Sequence, residues 1–187
     1  MTRTRLLAGV APGYTAHPVP TDDLAIPDPP NEPDTEVVVS EATDASPELL
    51  ESLRRLVPQL SSSAPPLSPE TLAEIVSAPA VILLVARDKD QRLVGTLSLV
   101  VFRAPTGLRA WIEDVVVDEG ARGAGAGAAL VRHAIERARG VGAQTVDLTS
   151  RPSREAANRL YLREGFVQRT TNVYRVSLDA RRPEGEG

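Results

Sequence analysis

Cysteine is absent from the 187 residues, which rules out disulfides, a thiol nucleophile and thiolate metal ligation. Two histidines, His17 and His133, are too few for an ordinary zinc site, so no metal is expected. Aromatic residues make up only 3% of the chain, and a core must therefore come from the Val, Leu, Ile and Ala that dominate its 42% hydrophobic content. No apolar run is long enough for a membrane-spanning helix. Leu6 to Ala11 follows two arginines but is too short for a signal-peptide core. A cytoplasmic protein without membrane contact is the default expectation. A basic surplus is lacking too. The net charge of −4 resides in residues 1–40, with two basic and six acidic residues, and the remainder holds 19 of each sign. That balance argues against a general nucleic-acid binder.

The length suits one domain with tails. Seven of the sixteen prolines fall in residues 1–33, a segment with no helical or alternating apolar pattern and too little apolar surface to offset its ordering entropy. It is expected to be an irregular extension, followed by a domain over residues 34–180 and a charged tail over 181–187. Thr35–Ser40 is expected as a first strand. Ser46-Pro47-Glu48 and Ser68-Pro69-Glu70 each combine an N-cap, a proline at N1 and an acid in the first turn. The first opens a helix up to Pro58, and the second a shorter helix through Val76. Strands are expected over Ala80–Ala86 and Leu93–Phe102. Ala104–Leu108 is expected as a hairpin loop into a central strand, and Thr145–Thr149 as a parallel strand. Phe166–Gln168 and Val173–Leu178 are expected to close the sheet as an antiparallel pair.

The chain is organised around Trp111 to Val131. Val115, Val116 and Val117 have the composition of a buried strand. Arg122-Gly123-Ala124-Gly125-Ala126-Gly127 follows, and an alanine-rich amphipathic segment runs from Ala128 to Arg139. A strand, a glycine loop and a helix start in succession make an anion site, because first-turn N–H groups are free and no Cβ keeps a phosphate away. A P-loop is excluded, since no Lys-Ser or Lys-Thr follows the glycines. A Rossmann fingerprint would use Gly123, Gly125 and Ala128 with Asp147 as the ribose acid, but its first glycine belongs at the strand's end. A tightly packed helix start without a ligand is the bland alternative.

Arg122-x-x-Gly125-x-Gly127 after a valine-rich strand resembles the acetyl-CoA loop of the GNAT N-acetyltransferases. Downstream, Asn158-Arg159-Leu160-Tyr161, closed by Gly165-Phe166, resembles that family's second signature. Together they identify the chain as a member over roughly residues 36–178. The resemblance implies an α/β (α+β) GNAT fold: a mixed, mostly antiparallel central sheet with a splayed parallel pair and helices on both faces. It implies acetyl-CoA as co-substrate, held through backbone groups of Arg122, Gly123, Ala124, Gly125, Ala126, Gly127 and Ala128. Val115, Val116 and Val117 would pair with the pantetheine arm. Asn158 would hold the arm or a phosphate, and the Tyr161 hydroxyl would give its proton to the departing thiolate. The alternative for Tyr161 is half-buried packing. The family also leaves room for a homodimer.

The attacking amine must be neutral, and the central strand offers Glu113 and Asp114 on opposite faces. Strict alternation would place Trp111, Glu113, Val115 and Val117 on one face. Glu113 is the candidate base, provided that burial beside Trp111 and the valines raises its proton affinity. Its alternative is an ion pair with an arginine such as Arg109. The stretch Ile112 to Val115 also resembles the same strand in glucosamine-6-phosphate N-acetyltransferases. The expected function is acetyl transfer to a primary amine of a small molecule or a peptide N-terminus. The alternative is a non-catalytic acyl-CoA-binding regulatory domain. A third reading, a nicotinamide oxidoreductase, goes with the Rossmann fingerprint. The two helices that would shape the acceptor pocket carry few distinctive polar groups, so the acceptor is not legible.

Overall fold

The computed structural model describes residues 37–178, so the proline-rich extension and the charged tail lie outside the described residues. Five strands form one sheet in chain order: β1 (Val38–Glu41), β2 (Val81–Arg87), β3 (Leu93–Ala104), β4 (Gly107–Val117) and β5 (Val146–Leu148). The first three junctions are antiparallel, and β4 and β5 run parallel. That is the mixed sheet expected, and its antiparallel majority removes the doubly wound Rossmann reading. Asp147, the ribose acid in that reading, instead accepts a hydrogen bond from Thr145 Oγ1 at 2.9 Å.

Helices α1 (Pro47–Leu60) and α2 (Pro69–Ser77) cover one face of the sheet, and α3 (Ala126–Gly140) covers the other. Leucines at positions 49, 50, 53 and 56 form the buried stripe of α1. Together with Leu72, Leu83, Val85, Leu93 and Val116 they make one core layer. The second layer packs Leu130, Val131, Ala134 and Ala138 of α3 on Leu84, Leu97, Leu99 and Ile112. Each fully buried leucine contributes about 1.5–3 kcal/mol, which explains how so few aromatics suffice. A fourth helix, α4 (Glu155–Arg163), buries none of its residues. No described helix is long and apolar enough to cross a membrane.

Several boundaries depart from expectation. Helix α1 continues through Pro58 to Leu60. Pro58 lies on the exposed side of the last turn, where water can satisfy the carbonyl that loses its partner. The loop between β3 and β4 shrinks to Pro105-Thr106, because Ala104 already pairs with Gly107. The closing antiparallel pair does not form. Residues 164–178 contain no strand, and Val167, Val173, Tyr174, Val176 and Leu178 are exposed. Strand propensity acts only where a neighbouring strand receives the side chains, and the three residues of β5 offer a short edge.

The departure with most consequence lies within β4. Ser98 pairs with Glu113, whereas Thr96 pairs with Val116, so Asp114 and Val115 together oppose a single residue of β3. Asp114 takes φ +51° there, which makes a β-bulge. The extra residue reverses the alternation: Ile112, Val115 and Val117 face α3, while Val116 joins the layer under α1. Trp111 and Glu113 therefore do not share a face with Val115 and Val117, as uninterrupted alternation required.

Candidate active site

β4 and β5 pair only where Ala110–Ile112 meets Val146–Leu148. Beyond Ile112, β4 runs on to Val117, while β5 ends at Leu148. Val115–Val117 thus have no partner strand on the β5 side, although Val116 and Val117 still pair with β3. A groove of about 540 Å³ opens beside them. Its walls come from the end of α1 (Gln59, Leu60), from Val115–Val117 and Arg122, and from the start of α4 around Arg154. The local sequence explains the opening, since the bulge turns β4 just past its last β5 pair.

After β4, Asp118 caps the short 3-10 turn Glu119–Ala121 by accepting from Gly120 N–H at 3.2 Å. Asp118 also forms an ion pair with Arg55 of α1, and Gln59 Oε1 accepts from Glu119 N–H at 2.9 Å. The glycine loop is thereby tied to α1. Gly125 is the N-cap of α3 at φ +80°, and no side chain caps this helix. Ala129 N–H is the first to bond back, to the Gly125 carbonyl at 2.9 Å, so the N–H groups of Ala126, Gly127 and Ala128 have no partner within the helix. A Cβ on Gly127 would lie 3.2 Å from Leu160 Cδ2, so glycine there lets α3 approach α4. These features fit a phosphate-bearing ligand: open donors, the positive end of a helix dipole, and a backbone without a Cβ in the way.

Arg154 is the N-cap of α4, and Asn158 and Tyr161, three apart on the helix, share a face. Asn158 Nδ2 donates to the carbonyls of Arg151 and Pro152 at 3.0 and 3.4 Å, so its amide nitrogen holds the preceding loop. Tyr161 is half-buried, with its ring edge-on to Phe166 at a centroid distance of 5.9 Å. Burial pushes its hydroxyl above the ordinary tyrosine range, and the nearby Arg154 charge pulls it back. Glu113 is exposed and accepts from the Trp111 indole N–H at 2.8 Å. Arg109 instead donates to Thr106, so the expected ion pair is not formed. The burial expected for Glu113 beside Trp111 and the valines is not observed, because two of the three valines lie on the other face of the sheet.

Of the residues singled out in the sequence, Val115, Val116, Val117 and Arg122 line the groove. Gly123 to Ala128, Asn158, Tyr161 and Glu113 are not among its lining residues. Sequence reasoning missed Gln59, Leu60 and the interhelical role of Arg154, which depend on folding α1 against α4. It also missed the buried Ser150 hydroxyl just past β5, which has no hydrogen-bond partner. No local pattern marks it.

A mixed sheet that opens between parallel strands, beside a glycine-led helix with no side-chain cap, defines an α/β protein with a groove at a strand divergence. The chain belongs to the acetyltransferase (GNAT) family, whose model matches residues 48–166. An acetyltransferase from Trypanosoma brucei is 30% identical, with 76% of this chain and 100% of that one covered at a TM-score of 0.64. A transcriptional regulator from Bacillus halodurans is 27% identical over 76% of this chain and 99% of its own, also at 0.64. Glucosamine-6-phosphate N-acetyltransferase from Arabidopsis thaliana shares the fold at 19% identity, with 76% and 99% covered and a TM-score of 0.65. No curated protein matches in sequence.

Proposed function

We propose that the protein transfers the acetyl group of acetyl-CoA to a primary amine of a small molecule or a peptide N-terminus. The observation that carries this reading is the unpaired side of Val115–Val117, opening on the groove next to the uncapped start of α3. Acetyl-CoA supplies the activated thioester. Ala126, Gly127 and Ala128 offer backbone N–H groups to its pyrophosphate, and Arg122 adds a cation at the groove. Val115–Val117 offer N–H and C=O groups to the pantetheine arm, and in this reading one such N–H stabilises charge on the thioester oxygen. The Tyr161 hydroxyl gives its proton to sulfur as the C–S bond breaks; a phenol whose proton is held tightly releases it only as thiolate charge develops. Asn158 acts at one remove, by holding the loop ahead of α4. Glu113, exposed beside Trp111, is the base assigned to the amine's proton. The catalytic unit is residues 34–180, and the chain shortened to begin at Asp34 is expected to bind acetyl-CoA as the whole chain does.

A second reading, a regulatory domain that binds acyl-CoA without turnover, draws support from the packing of Tyr161 on Phe166 and from the Bacillus halodurans relative's name. Calorimetry with acetyl-CoA and release of CoA thiol across a panel of amines separate the two. Binding with amine-dependent release supports transfer. Binding without release from any amine supports the regulatory reading, and absence of binding ends both.

A further inference from the structure

Helix α4 carries Tyr161, yet buries none of its residues. Its second half docks through Leu160, Tyr161 and the following Phe166 on the α3 layer of the core. Asn158 fastens its start only to the adjoining loop. Glu164 at its far end pairs with Arg132 of α3 at 4.0 Å, and at its start the N-cap Arg154 reaches α1, its Nη2 donating to the Leu60 carbonyl at 3.1 Å. Leu60 ends α1, and the last turn of α1 contains no basic residue of its own. Carbonyls at a helix C-terminus attract a cation, so Arg154 supplies from α4 the charge that α1 lacks. Both ends of this bond line the groove.

We propose that Arg154 is a positioning residue for acetyl transfer, joining α4 to α1 across the groove and thereby fixing Tyr161 relative to Val115–Val117. The proposal rests on reading Tyr161 as the proton donor. Two functions meet in one side chain. The guanidinium spans the groove walls, and its nearby charge favours the Tyr161 phenolate. Displacement of a reacting group by about 1 Å can cost roughly 10²-fold in rate, and α4 has little buried surface of its own to prevent it.

The first test needs no acceptor. In a Tyr14→Phe, Tyr174→Phe background, Tyr161 is the sole tyrosine, and ultraviolet difference absorbance follows its ionisation. Arg154→Met is expected to move the transition to higher pH, and Arg154→Lys to move it less. A transition unchanged in both variants overturns the proposal. The second test follows acetyl-CoA hydrolysis, with water as acceptor, through free CoA thiol. Arg154→Met should lower kcat by about fivefold or more while KM stays within about twofold, and Arg154→Lys should recover part of the loss. In Tyr161→Phe, the same Arg154→Met change should cost no more than about a further twofold. Full additivity overturns the proposal. If acetyl-CoA fails to bind the unaltered protein, the proposed reaction falls, whereas the titration still decides whether Arg154 governs Tyr161.

Discussion

Helices α1 and α2 begin alike, and α3 and α4 begin unlike them. Ser46 Oγ accepts from Leu49 N–H at 3.3 Å, and Ser68 Oγ accepts from Thr71 N–H at 3.1 Å, each with proline at N1 and glutamate behind it. Glu70 is held below the usual carboxylate range by its own backbone N–H and then by the Ser68 hydroxyl. α3 starts at Gly125 and α4 at Arg154, and neither has a side-chain cap. In the first pair the N-cap serine takes up one first-turn donor locally. In the second pair no side chain takes up a first-turn donor. The molecule thus has two capped helix starts and two without a side-chain cap, and on the proposed function substitutions should sort accordingly.

The largest effect is expected at the ligand-facing end. Tyr161→Phe should lower kcat by about 10²–10⁴-fold and leave acetyl-CoA affinity near that of the unaltered protein. A loss under about threefold, with chemistry shown to limit the rate, would assign the proton to another group. Gly125→Val comes next. A β-branched residue resists φ +80°, which distorts the uncapped start of α3, so acetyl-CoA binding should weaken by at least tenfold, about 1.4 kcal/mol. Calorimetry of the folded variant decides. The capped helices should show the opposite pattern. Ser68→Ala should cost about 1 kcal/mol of stability in a denaturant titration and leave acetyl-CoA affinity unchanged. An affinity loss there would erase the distinction between the two kinds of helix start.

The smallest effect concerns the bulge. Glu113→Gln should reduce kcat/KM by about threefold to tenfold. Asp114→Asn should do little, because asparagine tolerates φ +51° nearly as well as aspartate. An unchanged kcat/KM in Glu113→Gln would return Glu113 to the sheet surface as the partner of Trp111.

Much of this architecture was legible in residues. The two Ser-Pro-Glu starts announced α1 and α2, and the glycine run with Asn158 and Tyr161 announced the family. The bulge was not, because Ile112-Glu113-Asp114-Val115 contains no glycine or proline. Its only local signal was an aspartate, a residue that enters positive φ more readily than most. The α1–α4 wall was invisible for another reason: Leu60 and Arg154 lie 94 positions apart, and no local period records such a pairing. The exposed C-terminal segment shows the converse, a strand-like pattern whose neighbour did not materialise.

The extra residue at Asp114 gives β4 a reading frame. Deleting Asp114 would leave one residue opposite Leu97 and restore strict alternation, with Trp111, Glu113 and Val116 still on one face and Ile112, Val115 and Val117 on the other. Flattening the bulge while keeping its residue would instead exchange the faces of one half of the strand: either Trp111 and Glu113 would turn toward α3, or Val115 and Val117 would turn away from it. Most substitutions along β4 change one side chain at a time, whereas loss of the bulge at constant length rewrites which side chains are inside. The strand should therefore accept removal of Asp114 more readily than the straightening of its bulge.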